Sequence, residues 1–276
     1  TNAAPPTIED LEYMQEFATL SSGDRTYILN SMTTDAQYQL KDSRDEKTYY
    51  VSKLRDGNVW MTQNLDHDIV TTANFYTPDN TDIPANWTAS AGTLSSGASW
   101  TGSDTTLVSQ DRGDLYWSGV VGDNNFVSSG DPHYHLGNTY NWTAAVAMND
   151  SSSIGSDILV NQSICPAGWK LPRTVIGLTT DDNEVYALWT QYGYTKASGY
   201  EGDYSGSFSN ASTIWNAPLY YTLTDGFSDE FWSSQTYDDD DFYESYSFFV
   251  DADTNISHHA DYLSRQDPES IRCLVR

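Results

Sequence analysis

The 276-residue chain carries 39 acidic against 13 basic side chains, a formal net charge of −26. A field of that sign repels phosphate backbones and anionic membranes, which excludes nucleic acid as an expected partner. With 38% hydrophobic and 14% aromatic residues the chain can nonetheless bury a substantial core, so it is not a disordered acidic tail. No apolar run approaches the roughly 18–20 residues that a membrane span needs. The first residues, Thr1-Asn2-Ala3-Ala4-Pro5-Pro6, contain neither Met nor a signal peptide. The expectation is an extracellular or cell-surface ectodomain whose export signal or anchor lies outside this chain.

Thr7-Ile8-Glu9-Asp10 has the form of a capping box. Ile8, Leu11, Met14 and Ala18 then recur near helical spacing, which predicts one amphipathic helix within a helical lead segment, residues 1–35. The main domain is expected over 36–276. Leu40–Asp45 leads to a hairpin with strands Thr48–Leu54 and Val59–Asn64, joined across Arg55-Asp56-Gly57-Asn58, where Asp-Gly is a strong turn signal. Residues 71–138, rich in Thr, Ser, Gly, Asn and Asp, read as a polar insertion of long loops and short strands. Asn141–Ala147 predicts a short helix. A second helix starts near Thr180–Glu184, with Val185, Leu188, Trp189 and Tyr192 as its apolar face and Gly193 as its stop. The remainder, from Tyr220, reads as short strands and turns, and no fixed-period repeat is visible.

Cys165 and Cys273 are the only cysteines, and two of them in an acidic, Tyr/Trp-rich chain fit an oxidising compartment. A bridge would close a loop of about 108 residues; the alternative is two unrelated buried thiols. A zinc site lacks two further ligands at a familiar spacing. The sharpest motif is Ser163-Ile164-Cys165-Pro166-Ala167-Gly168-Trp169-Lys170-Leu171-Pro172. Pro166 and Gly168 fix a tight turn, Trp169 and Leu171 point to a core, and Pro172 ends the segment.

These residues carry a resemblance. Tyr49–Leu54 with Gly57-Asn58-Val59-Trp60-Met61-Thr62-Gln63-Asn64-Leu65, then Tyr140–Ala145, Cys165–Pro172, Phe231–Ser234 and Ile271–Val275, follow the motif order of the FISUMP family, the bacterial major paralogous domain. That family is related to the C-type-lectin-like fold of formylglycine-generating enzymes and of variable proteins of diversity-generating retroelements. The resemblance implies an α+β, C-type-lectin-like domain with short twisted antiparallel strands, two or three helices and long loops. It implies a Cys165–Cys273 disulfide and burial of Trp60, Trp142, Trp169 and Trp232, while Trp87, Trp100 and Trp117 fall in the insertion. A further cysteine pair common in relatives is absent here, with Val59 at one of its positions.

A formylglycine-generating chemistry would need a redox-active or metal-binding cysteine pair in a cleft, yet both cysteines occupy the family's structural positions. His258, His259 and Asp261 have no nucleophile elbow or third ligand beside them and read as surface groups, so no enzyme is expected. Calcium is the one cofactor with a case. Asp251-x-Asp253-x-Asn255 imitates half of an EF-hand loop, but Ile256 and Tyr262 stand where Gly and Glu are required. The runs Asp238–Asp241 and Asp181-Asp182 offer oxygens, whereas the lectin sugar–calcium signatures are missing.

In retroelement variable proteins, C-terminal positions change through adenines in Asn codons, which cannot yield Glu, Gln, Lys, Trp or Met. Residues 237–263 contain one residue of that forbidden set, Glu244, beside seven Asp and four Tyr. A fixed domain with an Asp/Tyr-rich tail is the plainer origin, and both origins point to binding at one surface. The expected ligand-binding residues are Tyr237, Asp238, Asp239, Asp240, Tyr243, Tyr246, Asp251, Asp253, His258, His259, Asp261 and Tyr262, clustered on one exposed face. Tyr offers wide amphipathic contact at low entropic cost, and Asp adds directional hydrogen bonds. The expected function is a displayed adhesion or recognition module for a protein or glycan on another cell. The alternatives are a subunit or tip of a pilus or cell-envelope fibre, which an exposed apolar helix over Ile8–Ala18 would favour, and a calcium-dependent glycan-binding protein.

Overall fold

Two antiparallel five-stranded sheets carry the fold, with few helices, so the chain is a mixed α+β protein. The computed structural model describes residues 4–67, 109–111, 138–147, 154–155, 158–174, 183–191, 195–196, 203–205, 229–237, 244–250, 257–265 and 269–276. The first sheet has the order β1 (Gln37–Lys41), β2 (Thr48–Lys53), β3 (Val59–Met61), β12 (Leu274–Val275), β6 (Trp169–Lys170). The second runs β7 (Thr195–Lys196), β8 (Asp203–Ser205), β11 (Ser257–Ser264), β10 (Glu244–Val250), β9 (Asp229–Thr236). A small pair joins β4 (Ser109–Asp111) to β5 (Asn138–Tyr140).

The β2–β3 hairpin forms where the Asp-Gly signal predicted it. Gly57 takes φ +87° at the turn, Gly57 N donates to Leu54 O at 2.9 Å, and Leu54 N donates to Asn58 O at 2.9 Å. Asp56 fastens the loop from inside, accepting from Trp60 Nε1 and from Asn58 Nδ2, each at 2.8 Å. The short helix Trp142–Ala145 is capped by Asn141, whose side chain accepts from Ala144 N at 3.1 Å. Glu184–Gln191 is capped one residue before its start, where Asn183 Oδ1 accepts from Tyr186 N at 2.9 Å. Its Val185 and Leu188 are buried; Tyr192 and Gly193 lie outside the described residues.

The four tryptophans of the family-like motifs are all buried, none more than 1% exposed. An indole N–H taken from water needs a new acceptor, and three of these find one on a distant segment. Trp169 Nε1 donates to Met14 O at 2.8 Å, Trp142 Nε1 to Ser233 O at 2.9 Å, and Trp232 Nε1 to Tyr140 O at 2.7 Å. The core is thereby stitched as well as packed. Trp87, Trp100 and Trp117 lie outside the described residues.

The lead segment departs from the predicted helix. The capping box forms, Thr7 N donating to Asp10 Oδ2 at 2.8 Å, but it opens only a 3-10 turn, Ile8–Asp10. The backbone then straightens because β1 claims it: Lys41 N donates to Glu12 O at 2.9 Å and Met14 N to Lys41 O at 2.8 Å. A residue paired to a strand cannot also complete helical bonds, so helix resumes only at Glu16–Thr19. Ile8, Leu11, Met14 and Phe17 are buried in the common core, which removes the exposed apolar helix that would have favoured a fibre subunit. A second helix, Ser22–Ser31, was not predicted; Ser21 caps it through Asp24 N at 3.1 Å.

Gly168 marks where this lead segment docks. Its φ is +82°, and a Cβ built there would lie 2.6 Å from Ala18 N. Phe17 meets Trp169 edge-on beside it, ring centroids 5.5 Å apart. Cys165 and Cys273 form a disulfide with Cα atoms 5.9 Å apart, tying the loop before β6 to the residue before β12.

Two stability predictions follow from these contacts. Gly168→Ala should cost more than the ~1–2 kcal/mol of a left-handed alanine, since backbone blocks the methyl group; a shift in urea midpoint with unchanged slope measures it. Cys273→Ser should cost roughly 2–5 kcal/mol on the same urea curve, and the parent protein should take no alkyl label until reduced.

Candidate binding surface

The second sheet hangs from the core by β9. Along β9, Val160 N donates to Ser234 O at 2.8 Å, Thr236 N to Ile158 O at 3.0 Å, and Trp232 N to Ser270 O at 3.1 Å. Phe231 stacks on Phe248 of β10, ring centroids 5.1 Å apart. Ser245 and Ser247 are buried on the alternate positions, so β9 and β10 are covered on both faces here. A buried arginine locks the far corner. Arg265 Nε donates to Glu244 O and Ser245 Oγ, each at 3.1 Å, and its guanidinium lies 5.0 Å from the Trp142 ring centre.

The register sorts the predicted binding residues. Tyr246 pairs with Tyr262, Ser247 with Asp261, Phe249 with His259 and Val250 with His258. Directly opposed residues share a face and neighbours along a strand alternate. The backbone pairing therefore sets Tyr246 opposite Tyr262 toward one end of β10 and Val250 opposite His258 at the other. The ends of β10 divide the set further. Tyr237 N donates to Glu244 O at 3.2 Å, closing the β9–β10 connection at one end, while the β10–β11 connection leaves from Val250 at the other. Seven residues of strand put those ends about 20 Å apart.

Tyr246 corrects the expectation most directly. It is buried, with its ring edge-on to Tyr237 at a centroid distance of 5.3 Å. Tyr237 is half-buried at the strand end and carries the exposed part of that pair. Burying the aromatic body of Tyr246 is worth more than displaying it, because β10 needs a side chain over the sheet at that position. Asp238, Asp239, Asp240, Tyr243, Asp251 and Asp253 lie outside the described residues.

Beneath the first sheet is a polar cluster that sequence reading passed over. Asp42 and Arg44 form a fully buried ion pair, with Arg44 Nη2 2.6 Å from Asp42 Oδ2 and Nε 3.0 Å from both carboxylate oxygens. Gln15 Nε2 donates to Asp42 Oδ1 at 2.7 Å, and Arg44 Nη1 donates to Ile164 O at 2.6 Å, beside the disulfide. His67 Nδ1 lies 3.1 Å from Asp45 Oδ2, and Tyr140 OH donates to His67 O at 2.6 Å. One cluster thus joins the lead segment, the β1–β2 turn, the loop before Cys165, and the two segments on either side of residues 71–138. The run Asp42-Ser43-Arg44-Asp45 was its visible signal, an acid–base–acid group leading into a strand.

Burial alone would raise the Asp42 carboxyl, but the charge and hydrogen bonds of Arg44 prevail and hold it at about 2. Burial, then the Arg44 charge, lower His67, against its hydrogen bond to the Asp45 carboxylate. Burial drives the Tyr49 and Tyr140 phenols well above their ordinary value. Oxygens of Asp42 and Asp45 and a ring nitrogen of His67 lie within 4.8 Å of one another, close enough to share a metal ion. They do not fit calcium, which takes 6–8 oxygens. Both Asp42 oxygens already bind Arg44, so a cation here would have to evict a buried guanidinium. The cluster is a structural lock.

The fold and these sites define a disulfide-bonded α+β protein built on two five-stranded antiparallel sheets. Among the described residues, no helix is long and apolar enough to cross a membrane. No family model, curated protein or solved structure matches the chain.

The lock predicts acid sensitivity with a defined sign. Both groups have folded pKa values below their unfolded ones, 6.5 for His67 and 3.8 for Asp42. Their contributions are complete above those values and are lost as pH falls, that of His67 first below 6.5, that of Asp42 between 3.8 and about 2. Thermal melts against pH should therefore show two descending limbs, and His67→Asn should flatten the upper one. Arg44→Met, which strands a buried carboxylate, should cost about 3–5 kcal/mol.

Proposed function

We propose that the chain is an extracellular binding module of C-type-lectin-like architecture, similar to the FISUMP family, and not an enzyme. Its contacts would come from the Asp/Tyr-rich segments at the ends of β10 and from β11. The observation that carries this reading is how these segments are held. Each leaves a sheet whose β9 is bonded along its length to the tryptophan core and to Ser270, three residues before the disulfide. A binding surface carried on so fixed a base costs less to order than one on an untethered base, which favours recognition. All five stretches that carry the resemblance also contribute buried residues to the protein interior, as a shared scaffold requires. Sixteen acids against one base, Lys196, over residues 174–264 favour a neutral-polar or basic protein or glycan as the ligand.

The test is a binding screen of the labelled protein against immobilised glycans and intact cells, repeated with Tyr243→Ala and Tyr262→Ala together. Binding by the parent, lost by roughly tenfold or more in the double variant at unchanged melting temperature, is the expected result. Failure of the parent to bind any member of the panel, or undiminished binding by the variant, refutes the reading.

A further inference from the structure

Gly168 and Trp169 are held from two directions. On one side is the lead segment. Ala18 N lies 2.6 Å from where a Cβ of Gly168 would stand, Phe17 meets the Trp169 ring edge-on, and Met14 O accepts from the indole N–H. On the other is the chain beyond the disulfide. Val275 pairs with Trp169 in the sheet, Arg276 N donates to Gly168 O at 3.0 Å, and Arg276 Nε donates to Trp169 O at 3.2 Å.

Arg25 joins the two sides directly. It stands in the helix Ser22–Ser31, and its guanidinium donates from Nη2 to Phe17 O at 2.6 Å and from Nη1 to Arg276 O at 2.7 Å. One planar group thus links residues 251 apart in sequence. Hydrogen bonds from a charged donor are the stronger kind, and two from one rigid fork fix an orientation. Neither side is stable by itself. The helix Glu16–Thr19 has four residues, Ser22–Ser31 has ten with Ile28 alone buried, and β12 has two. Isolated helices this short are marginal in water, so the order of the lead segment comes from what it docks on.

We propose that residues 13–31 form a strap that latches β12 into the first sheet, and that strap and strand open together as one cooperative unit. Cys273 bounds the unit, because the bridge to Cys165 holds the chain there when residues 274–276 lift away. Ser270, whose carbonyl accepts from Trp232 N on β9, lies on the far side of that bridge, so the second sheet stays closed. Such sub-global openings involve contiguous packed elements and occur well below the free energy of global unfolding.

Hydrogen exchange of the whole folded chain, read by fragment mass spectrometry over the strap, residues 274–276 and β10, tests this. Arg25→Met removes both donors and keeps the aliphatic stem. Exchange should quicken roughly tenfold in strap and strand alike, with β10 unchanged. Coupling between two sites is mutual, so Val275→Ala, made on the strand, should quicken the strap as much as the strand. Acceleration confined to the altered side in either variant would show two independent units and overturn the proposal. Equal acceleration of β10, which marks global unfolding, or no change in either region would overturn it as well.

Discussion

The two-residue strand Leu274–Val275 is an interior strand of the first sheet, and the rest of the structure depends on its insertion. It separates β3 from β6, pairing Leu274 with Trp60 on one side and with Lys170 on the other. Met61 N and Leu65 N donate to Cys273 O and Ile271 O, each at about 2.9 Å or less, so the hairpin formed early in the chain is completed by its last residues. Contacts spanning more than two hundred residues carry a high loop-closure cost. A disulfide anchored one residue before that strand reduces the cost by holding the final segment near its partners in the unfolded state.

Three interior arginines extend the same logic to charge. Arg44, Arg265 and Arg272 are all buried in a protein that has few basic residues to spend. Each lies where separate segments meet. Arg44 bridges the β1–β2 turn and the Cys165 loop, Arg265 closes the start of β10 against Trp142, and Arg272 donates to Asn64 at 2.6 Å beside Phe231. A guanidinium has five donors in a rigid plane, which suits it to several carbonyl and carboxylate acceptors at once. Partnered in this way, these groups specify which segments adjoin, where an apolar core would tolerate slippage.

What the sequence revealed was local. The Asp56-Gly57 turn and the short helix expected over Asn141–Ala147 are encoded within a few residues, and each formed where it was read, the helix over Trp142–Ala145. Most of the failures were long-range. Ile8–Ala18 has helical spacing, but pairing with Lys41 overrode it. Ser22–Ser31 has one buried apolar residue, Ile28, too thin a stripe to register as periodicity. Nothing in the Asp42–Asp45 run announces that Gln15, His67 and Ile164 converge on it. Tyr246 was misjudged because composition cannot separate an aromatic anchor from an aromatic core residue. Only the register opposite Tyr262 and the ring of Tyr237 make that distinction.

The length of β10 has an electrostatic consequence. Its two ends stand about 20 Å apart, while mobile ions at physiological strength damp a charge within about 8 Å. A substitution that adds or removes charge where the chain leaves β9 is therefore almost unfelt where it enters β11. The two ends can drift in sequence as separate units, each free to change its electrostatic character without compensation from the other.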